Sequence, residues 1–389
     1  MADWRGKLTR VAHSLERRWD TPRRQSAWRP GQQMRIETYL GWGTAESLIL
    51  RGRVLRGKPL PPALPTDSRW TNLKNAWRRF ETDEVPAARV RAFRNGQSGV
   101  ATADEEGFWE IAFPRALYSS EEGWDEVDVE LLQPRPADPV RATARALVPS
   151  PVARFGVISD LDDTVLRTDA RRIDRILRQV LLGNVHTRLP FPGVAEFYAA
   201  LHAGVPGVRN PIFYVSSSPW NLYDVLVDFL ELQSIPPGPL FLRDWGISER
   251  ELLPTGHGSH KRAAIERILA AYPALPFLLI GDSGQEDPEI YHRVVHDFPE
   301  SIAAVYIRNV SPAPERGEAI RALAAEVEDA GSVLLLADDT LAAAEHAAER
   351  GWIRPAAVPG IRTAVAGEST EPTSRATERV NRELSTEAT

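Results

Sequence analysis

Residues 151–350 predict an α/β fold, a doubly wound parallel sheet, preceded over residues 31–150 by a smaller antiparallel β-sandwich. Three observations carry this reading. Short apolar strands alternate with helical stretches from Phe155 to about Arg350, the pattern of a parallel sheet with helices on both faces. Between Met34 and Val148 the chain shows short segments of period two instead, which suit an antiparallel sandwich. Two of the later apolar runs also break off into acidic residues, as buried strands do where their carboxyl ends open into a ligand crevice.

The chain as a whole sets bounds on function. Its 389 residues suffice for two or three domains, and the 43% hydrophobic and 26% charged fractions are those of a soluble globular protein. No apolar run approaches the roughly 20 residues that span a bilayer, and the first residues lack the apolar core of a secretory signal, so a cytoplasmic location is expected. The absence of cysteine excludes disulfides, thiolate metal sites and cysteine nucleophiles. A net charge of -6 argues against nucleic acid as a partner.

In order, residues 1–30 are basic, and Trp4, Leu8, Val11, Leu15 and Trp19 recur at spacings of four and three. This is an amphipathic helix. Its stripe either makes a peripheral contact with an anionic membrane or docks on the protein's own body. Strands are expected at 47–55, 88–94, 108–113, 127–132 and 140–148, with Asp104 to Gly107 as a turn and one helix inserted at 69–80. Tyr39, Trp42, Trp77, Trp109 and Trp124 could make a binding face, but core or rim packing is the expected use for most of them. Pro149 and Pro151 mark a linker. Beyond it, strands at 155–160, 212–215, 240–242, 277–280, 303–307 and 333–336 alternate with helices at 194–203, 222–232, 261–271 and 317–329. Asp338 and Asp339 cap a further helix at 341–350. Residues 351–389, poor in large apolar side chains, are expected to be a disordered tail.

The chemistry concentrates at strand ends. In Val157-Ile158-Ser159-Asp160-Leu161-Asp162-Asp163-Thr164 the apolar strand gives way to two carboxylates, Asp160 and Asp162, able to face one small volume. That arrangement is costly without a cation, and magnesium is its natural occupant. One carboxylate could attack phosphorus while the other handles the proton of the leaving oxygen. Ser216 and Ser217 follow the next strand, where hydroxyl and backbone N–H groups hold phosphate oxygens. Lys261 opens a helix after a glycine-containing loop and could neutralise the aspartate and phosphate charges. A second apolar strand ends in Gly281-Asp282, with Asp287 five residues on. Each signal alone has an ordinary alternative: an acidic turn, a common serine turn, a solvated lysine. Four in order on alternating strands outweigh those alternatives. His257 and His260 are spaced like zinc ligands but lack a nearby carboxylate partner in sequence.

The set Asp160-x-Asp162, Ser216, Lys261 and Gly281-Asp282 with Asp287 resembles the four motifs of the haloacid-dehalogenase-like (HAD) phosphohydrolases. The stretches around it, including Tyr214 to Tyr223 and Ile280 to Tyr291, are similar to the App1-type phosphatidate phosphatases. The resemblance covers the later domain and extends to the β-rich part only in general pattern. It implies a HAD-like Rossmannoid fold and Mg2+ as cofactor. It also implies Asp160 as nucleophile and metal ligand, and Asp162 as acid and base with its carbonyl on the metal. Ser216 and Ser217 would bind phosphate, Lys261 would bridge phosphate and Asp160, and Asp282 would ligate the metal. Thr164 and Asp287 would support them.

The segments between Leu166 and Ile212 and between Trp220 and His260 are too short for a cap domain as well as the core elements they must supply. An open, capless site suits phosphate on a large body such as a phospholipid. The alternatives are a phosphatase for a protein or other non-lipid phosphomonoester, and a non-catalytic membrane or protein interaction module.

Overall fold

The computed structural model describes residues 33–44, 46–57, 83–115, 123–136, 138–161, 191–204, 208–243, 257–311 and 313–370. The basic helix at 1–30, the helix at 69–80 and the segments at 162–190 and 244–256, where a cap would sit, lie outside them, as do Trp77, Asp162 and Thr164. Among the described residues, no helix is long and apolar enough to cross a membrane.

The first sheet contains β1 (Met34–Gly43), β2 (Ser47–Arg56), β3 (Asp83–Glu84), β4 (Arg89–Arg94), β5 (Gln97–Thr102), β6 (Phe108–Pro114), β7 (Trp124–Gln133) and β8 (Arg141–Leu147). The expected antiparallel sandwich is met in part: the strands form one mainly antiparallel sheet, ordered β3-β2-β1-β8-β7-β4-β5, with β6 on β2. Its one parallel pair is β1 with β8. The cause is β2, long enough to pair with β1 along one edge and with β6 and then β3 along the other. The sheet curls until Gly99 of β5 meets Ile111 of β6. Leu50, Val90, Val129 and Ile111 fill the interior. The expected turn before β6 forms as Asp104 Oδ1 accepts from the N–H groups of Glu106 and Phe108. Tyr39, Trp42 and Trp109 are buried, as packing residues should be.

The second sheet is parallel throughout. It contains β9 (Gly156–Asp160), β10 (Ile212–Pro219), β11 (Leu240–Arg243), β12 (Phe277–Asp282), β13 (Ile302–Arg308) and β14 (Leu334–Ala337). The order β11-β10-β9-β12-β13-β14 means that the chain winds outward from β9, crosses back, and winds outward again from β12. The switch point therefore falls between β9 and β12, where ligands bind in such sheets. Two clusters cover its faces. Val157, Leu161, Tyr214, Leu278 and Ile280 meet α1 (Val194–Ala203), α2 (Tyr223–Leu232) and α6 (Thr340–Glu349). Ile158, Phe213, Val215, Leu279 and Val305 meet α3 (His257–Ala271), α4 (Asp287–Asp297) and α5 (Pro314–Asp329). Asp339 caps α6 as expected, accepting from the Ala342 N–H.

Three expectations change. The strand at 212–215 continues to Pro219, its pairing with β11 shifting register after Val215. Lys261 does not open its helix, which begins at His257 and places the lysine in its second turn. The tail expected to be disordered from 351 instead forms a further helix, α7 (Val358–Thr370). Val358, Ile361 and Val365 lie at helical spacing and join the core of the first face. Their company of Pro, Gly and Thr hid that period. Gly193, just ahead of α1, has φ 74°, and a Cβ there would lie 2.8 Å from Val365 Cγ2.

Candidate active site

The parallel sheet puts its acidic strand ends side by side. Ile280 of β12 pairs with Ser159 of β9, so Asp160 and Asp282 leave adjacent strands at the same edge, and both are fully buried. Gly281 between them has a packing reason. A Cβ there would lie 2.6 Å from Asp287 Oδ2 and 2.8 Å from Asp287 Cβ, so only a bare backbone lets the first residue of α4 fold back against β12. Asp287 Oδ2 then accepts from the Asp282 N–H at 3.2 Å.

Lys261 reaches this edge from α3 and is 2% exposed. Its Nζ lies 2.8 Å from Asp160 Oδ1 and 2.6 Å from Asp287 Oδ1, with Gln285 Oε1 at 3.4 Å. Burial alone would push the ammonium toward neutrality, but the charges of Asp160 and Asp287 outweigh it and hold the pKa above its usual value. Asp160, Asp282 and Asp287 each offer a carboxylate oxygen within 4.8 Å of the others. One ammonium among three buried carboxylates leaves formal negative charge uncompensated, and the donors are all hard oxygens. The set fits a divalent cation of the magnesium kind.

The loop carrying Asp282 is fixed by its own chain. Asp282 Oδ1 accepts from the N–H groups of Gly284 at 2.6 Å and Gln285 at 3.1 Å. Ser283 Oγ accepts from Val310 and Ser311. Arg316 of α5 donates to the carbonyls of Ser283 and Gln285, at 2.8 and 2.7 Å, and pairs with Glu289. No motif announced Arg316, and Gln285 lay within the Ile280 to Tyr291 stretch with no role of its own assigned. Only the distance from β13 to the following helix, readable from periodicity, could have placed the arginine near the loop.

Ser216 stands one residue past Val215, the partner of Asp160 in the ladder, and its hydroxyl accepts from the Ser218 N–H at 2.9 Å. Ser217 Oγ is buried with no hydrogen-bond partner among the described residues. Ser216 thus follows directly on the ladder partner of Asp160. His260, next to Lys261, is held below the usual histidine range by burial, so it is neutral at pH 7, and no carboxylate of the cluster makes it a zinc ligand.

Fold and cluster together define a class: a doubly wound parallel α/β protein with a buried aspartate–lysine–aspartate constellation at its switch point. Residues 155–309 match the family described as phosphatidate phosphatase APP1, catalytic domain. That stretch of the chain is similar to the App1-like family. The curated relatives include phosphatidate phosphatase APP1 of Saccharomyces cerevisiae, 34% identical over 189 residues, or 47% of this chain and 31% of that protein. They also include an uncharacterized protein of Schizosaccharomyces pombe, 28% identical over 210 residues, or 53% of this chain and 33% of that protein. The matches span about a third of the length of these relatives. Among solved structures, the PilB minor pilin from Streptococcus sanguinis aligns with 69% of this chain and 87% of its own at 8% identity and a TM-score of 0.27, too slight a likeness to bear on the fold.

Proposed function

We propose that the chain is a magnesium-dependent phosphatidate phosphatase-like enzyme that hydrolyses a phosphomonoester through an aspartyl phosphate on a HAD-like, capless sheet. The observation that carries this reading is Lys261 held between Asp160 and Asp287 beside Asp282. The lysine fixes one oxygen of Asp160 and presents positive charge to an incoming phosphate, while Asp287 holds the lysine. The other Asp160 oxygen attacks phosphorus, and the bond from phosphorus to the leaving alcohol breaks. Asp162 supplies the proton that the alkoxide needs and later takes one from the water that cleaves the aspartyl phosphate. Ser216, Ser217 and the amides around them bind the phosphate oxygens, with Thr164 supporting the first loop.

Magnesium, held by Asp160, Asp282 and the Asp162 carbonyl, would neutralise charge developing on the phosphoryl group. The activity for which the matching family is named supports a phospholipid substrate. The basic segment at 1–30 is the candidate for peripheral membrane contact.

The test is phosphate release from phosphatidate in vesicles and from glycerol phosphate, with and without magnesium. Phosphatidate should be favoured by about tenfold or more in kcat/KM, because without a cap the substrate's own body must exclude water. Equal efficiencies would move the assignment to a soluble phosphomonoester.

A further inference from the structure

Arg51 of β2 is 7% exposed, and its guanidinium is caged by three rings: 4.9 Å from Trp42, 4.9 Å from Trp220 and 4.7 Å from Phe241. Its Nη2 donates to the Leu240 carbonyl, and its Nε has no hydrogen-bond partner among the described residues. Burial pushes its pKa down to about 10, with Tyr223 and Glu110 partly offsetting this, so at neutral pH the charge remains. Such a buried charge is expensive, and an apolar side chain of similar length would fill the space at lower cost.

Its neighbours show what the charge holds. Trp220 is the first residue after the strand end that carries Ser216 and Ser217, and Phe241 pairs with Val215 one residue before them. The same turn is gripped a second time by β1. Tyr39 stacks on Trp220 with centroids 4.6 Å apart, and the Leu40 N–H donates to the Tyr223 hydroxyl at 2.7 Å. The first sheet therefore touches the second where the candidate phosphate-binding backbone leaves β10.

We propose that Arg51 is a positioning residue for phosphate binding. Through Trp220 and Phe241 it fixes the backbone of residues 216–219, which makes the first sheet a working part of the site. This rests on the phosphatase reading above.

The experiment measures inorganic phosphate affinity in the presence of magnesium, the thermal midpoint, and amide exchange over residues 216–222. It compares the wild-type chain with Arg51→Met, Arg51→Lys and Arg267→Met. Arg267 also lies over Trp42, at 4.7 Å, and serves as the interface control. Arg51→Met should keep or raise the midpoint, weaken phosphate binding by about tenfold and speed exchange over 216–222. Arg51→Lys, which lacks the planar fork, should not restore the affinity, and it carries the comparison if Arg51→Met does not fold. Arg267→Met should bind phosphate as the wild type does. Unchanged affinity and exchange in both Arg51 variants would overturn the inference, as would a loss that merely follows a fallen midpoint and recurs in Arg267→Met. A wild-type chain that binds no phosphate would overturn the phosphatase reading, and this inference with it.

Discussion

Asp287 receives the Lys261 ammonium on one carboxylate oxygen and the Asp282 backbone N–H on the other, so a single side chain ties the cation of the site to its acidic strand end. Removing the cation leaves Asp160 and Asp287 buried without their charge partner. Lys261→Met should lose about 3–5 kcal/mol of stability in urea unfolding without magnesium. The lysine's pKa is raised by folding, so its contribution is fully present below the ordinary lysine value of 10.5 and is lost only as pH rises through the higher folded value. The gap between wild type and variant should stay flat from pH 7 to 10. A gap that closes by pH 9 would show that the lysine is not held as described.

Asp160→Asn keeps shape and volume but replaces the attacking oxygen with an amide. Turnover should fall by at least about a thousandfold with the circular dichroism spectrum unchanged, as expected for loss of a nucleophile. A folded variant with near wild-type turnover would sink the aspartyl-phosphate mechanism.

Arg316→Met tests the clamp on the Asp282 loop. The ion pair with Glu289 is partly exposed and adds little stability, so the melting temperature should hardly move. Magnesium affinity, measured calorimetrically without substrate, should drop by about tenfold or more, the usual effect of removing a partner behind a metal ligand. Unaltered affinity would mean that Gly284, Gln285 and Ser283 hold the loop unaided.

Deleting residues 358–389 removes α7 and uncovers the faces of α1 and α6 against which it packs. Stability should fall by roughly 2–4 kcal/mol, as for the loss of one or two buried aliphatic side chains. A truncated chain as stable as the full one would mean that the helix rests on the core without supporting it.

Much of the second sheet was legible because its strands are continuous apolar runs with acids, glycine or serine at one end. Asp160, Ser216, Lys261, Asp282 and Asp287 could be picked out for that reason. What sequence could not show was which carboxylates meet. Asp287 lies in the cluster itself because Gly281 gives it room, a relation between atoms that spacing does not encode. The first sheet was harder. β5 has no buried residue, and the two half-buried positions that alternate with exposed ones are the small Gly99 and Ala101, which mark no apolar face in the sequence. Yet Asn95-Gly96, with φ values of 50° and 80°, is a two-residue hairpin turn of a kind that sequence can reveal, and it was not among the turns expected above. The curl of the sheet depends on β2 choosing three partners, which strand composition leaves open. Arg316 and Arg51 act at distances of tens or hundreds of residues along the chain and carry no local mark.

Gly193 and α7 bear on how this protein can diverge. The glycine's left-handed backbone and its contact with Val365 and Ile361 make position 193 and the last helix a coupled pair, although 172 residues separate Gly193 from Val365 (365 minus 193). A lineage that sheds the helix would release residue 193 from its spatial limit while leaving the demand for positive φ, so asparagine could then replace glycine there. A lineage that keeps the helix would hold glycine and vary instead at exposed positions such as Arg362. Ancestry would then be read from the two ends of that contact together, not from either alone.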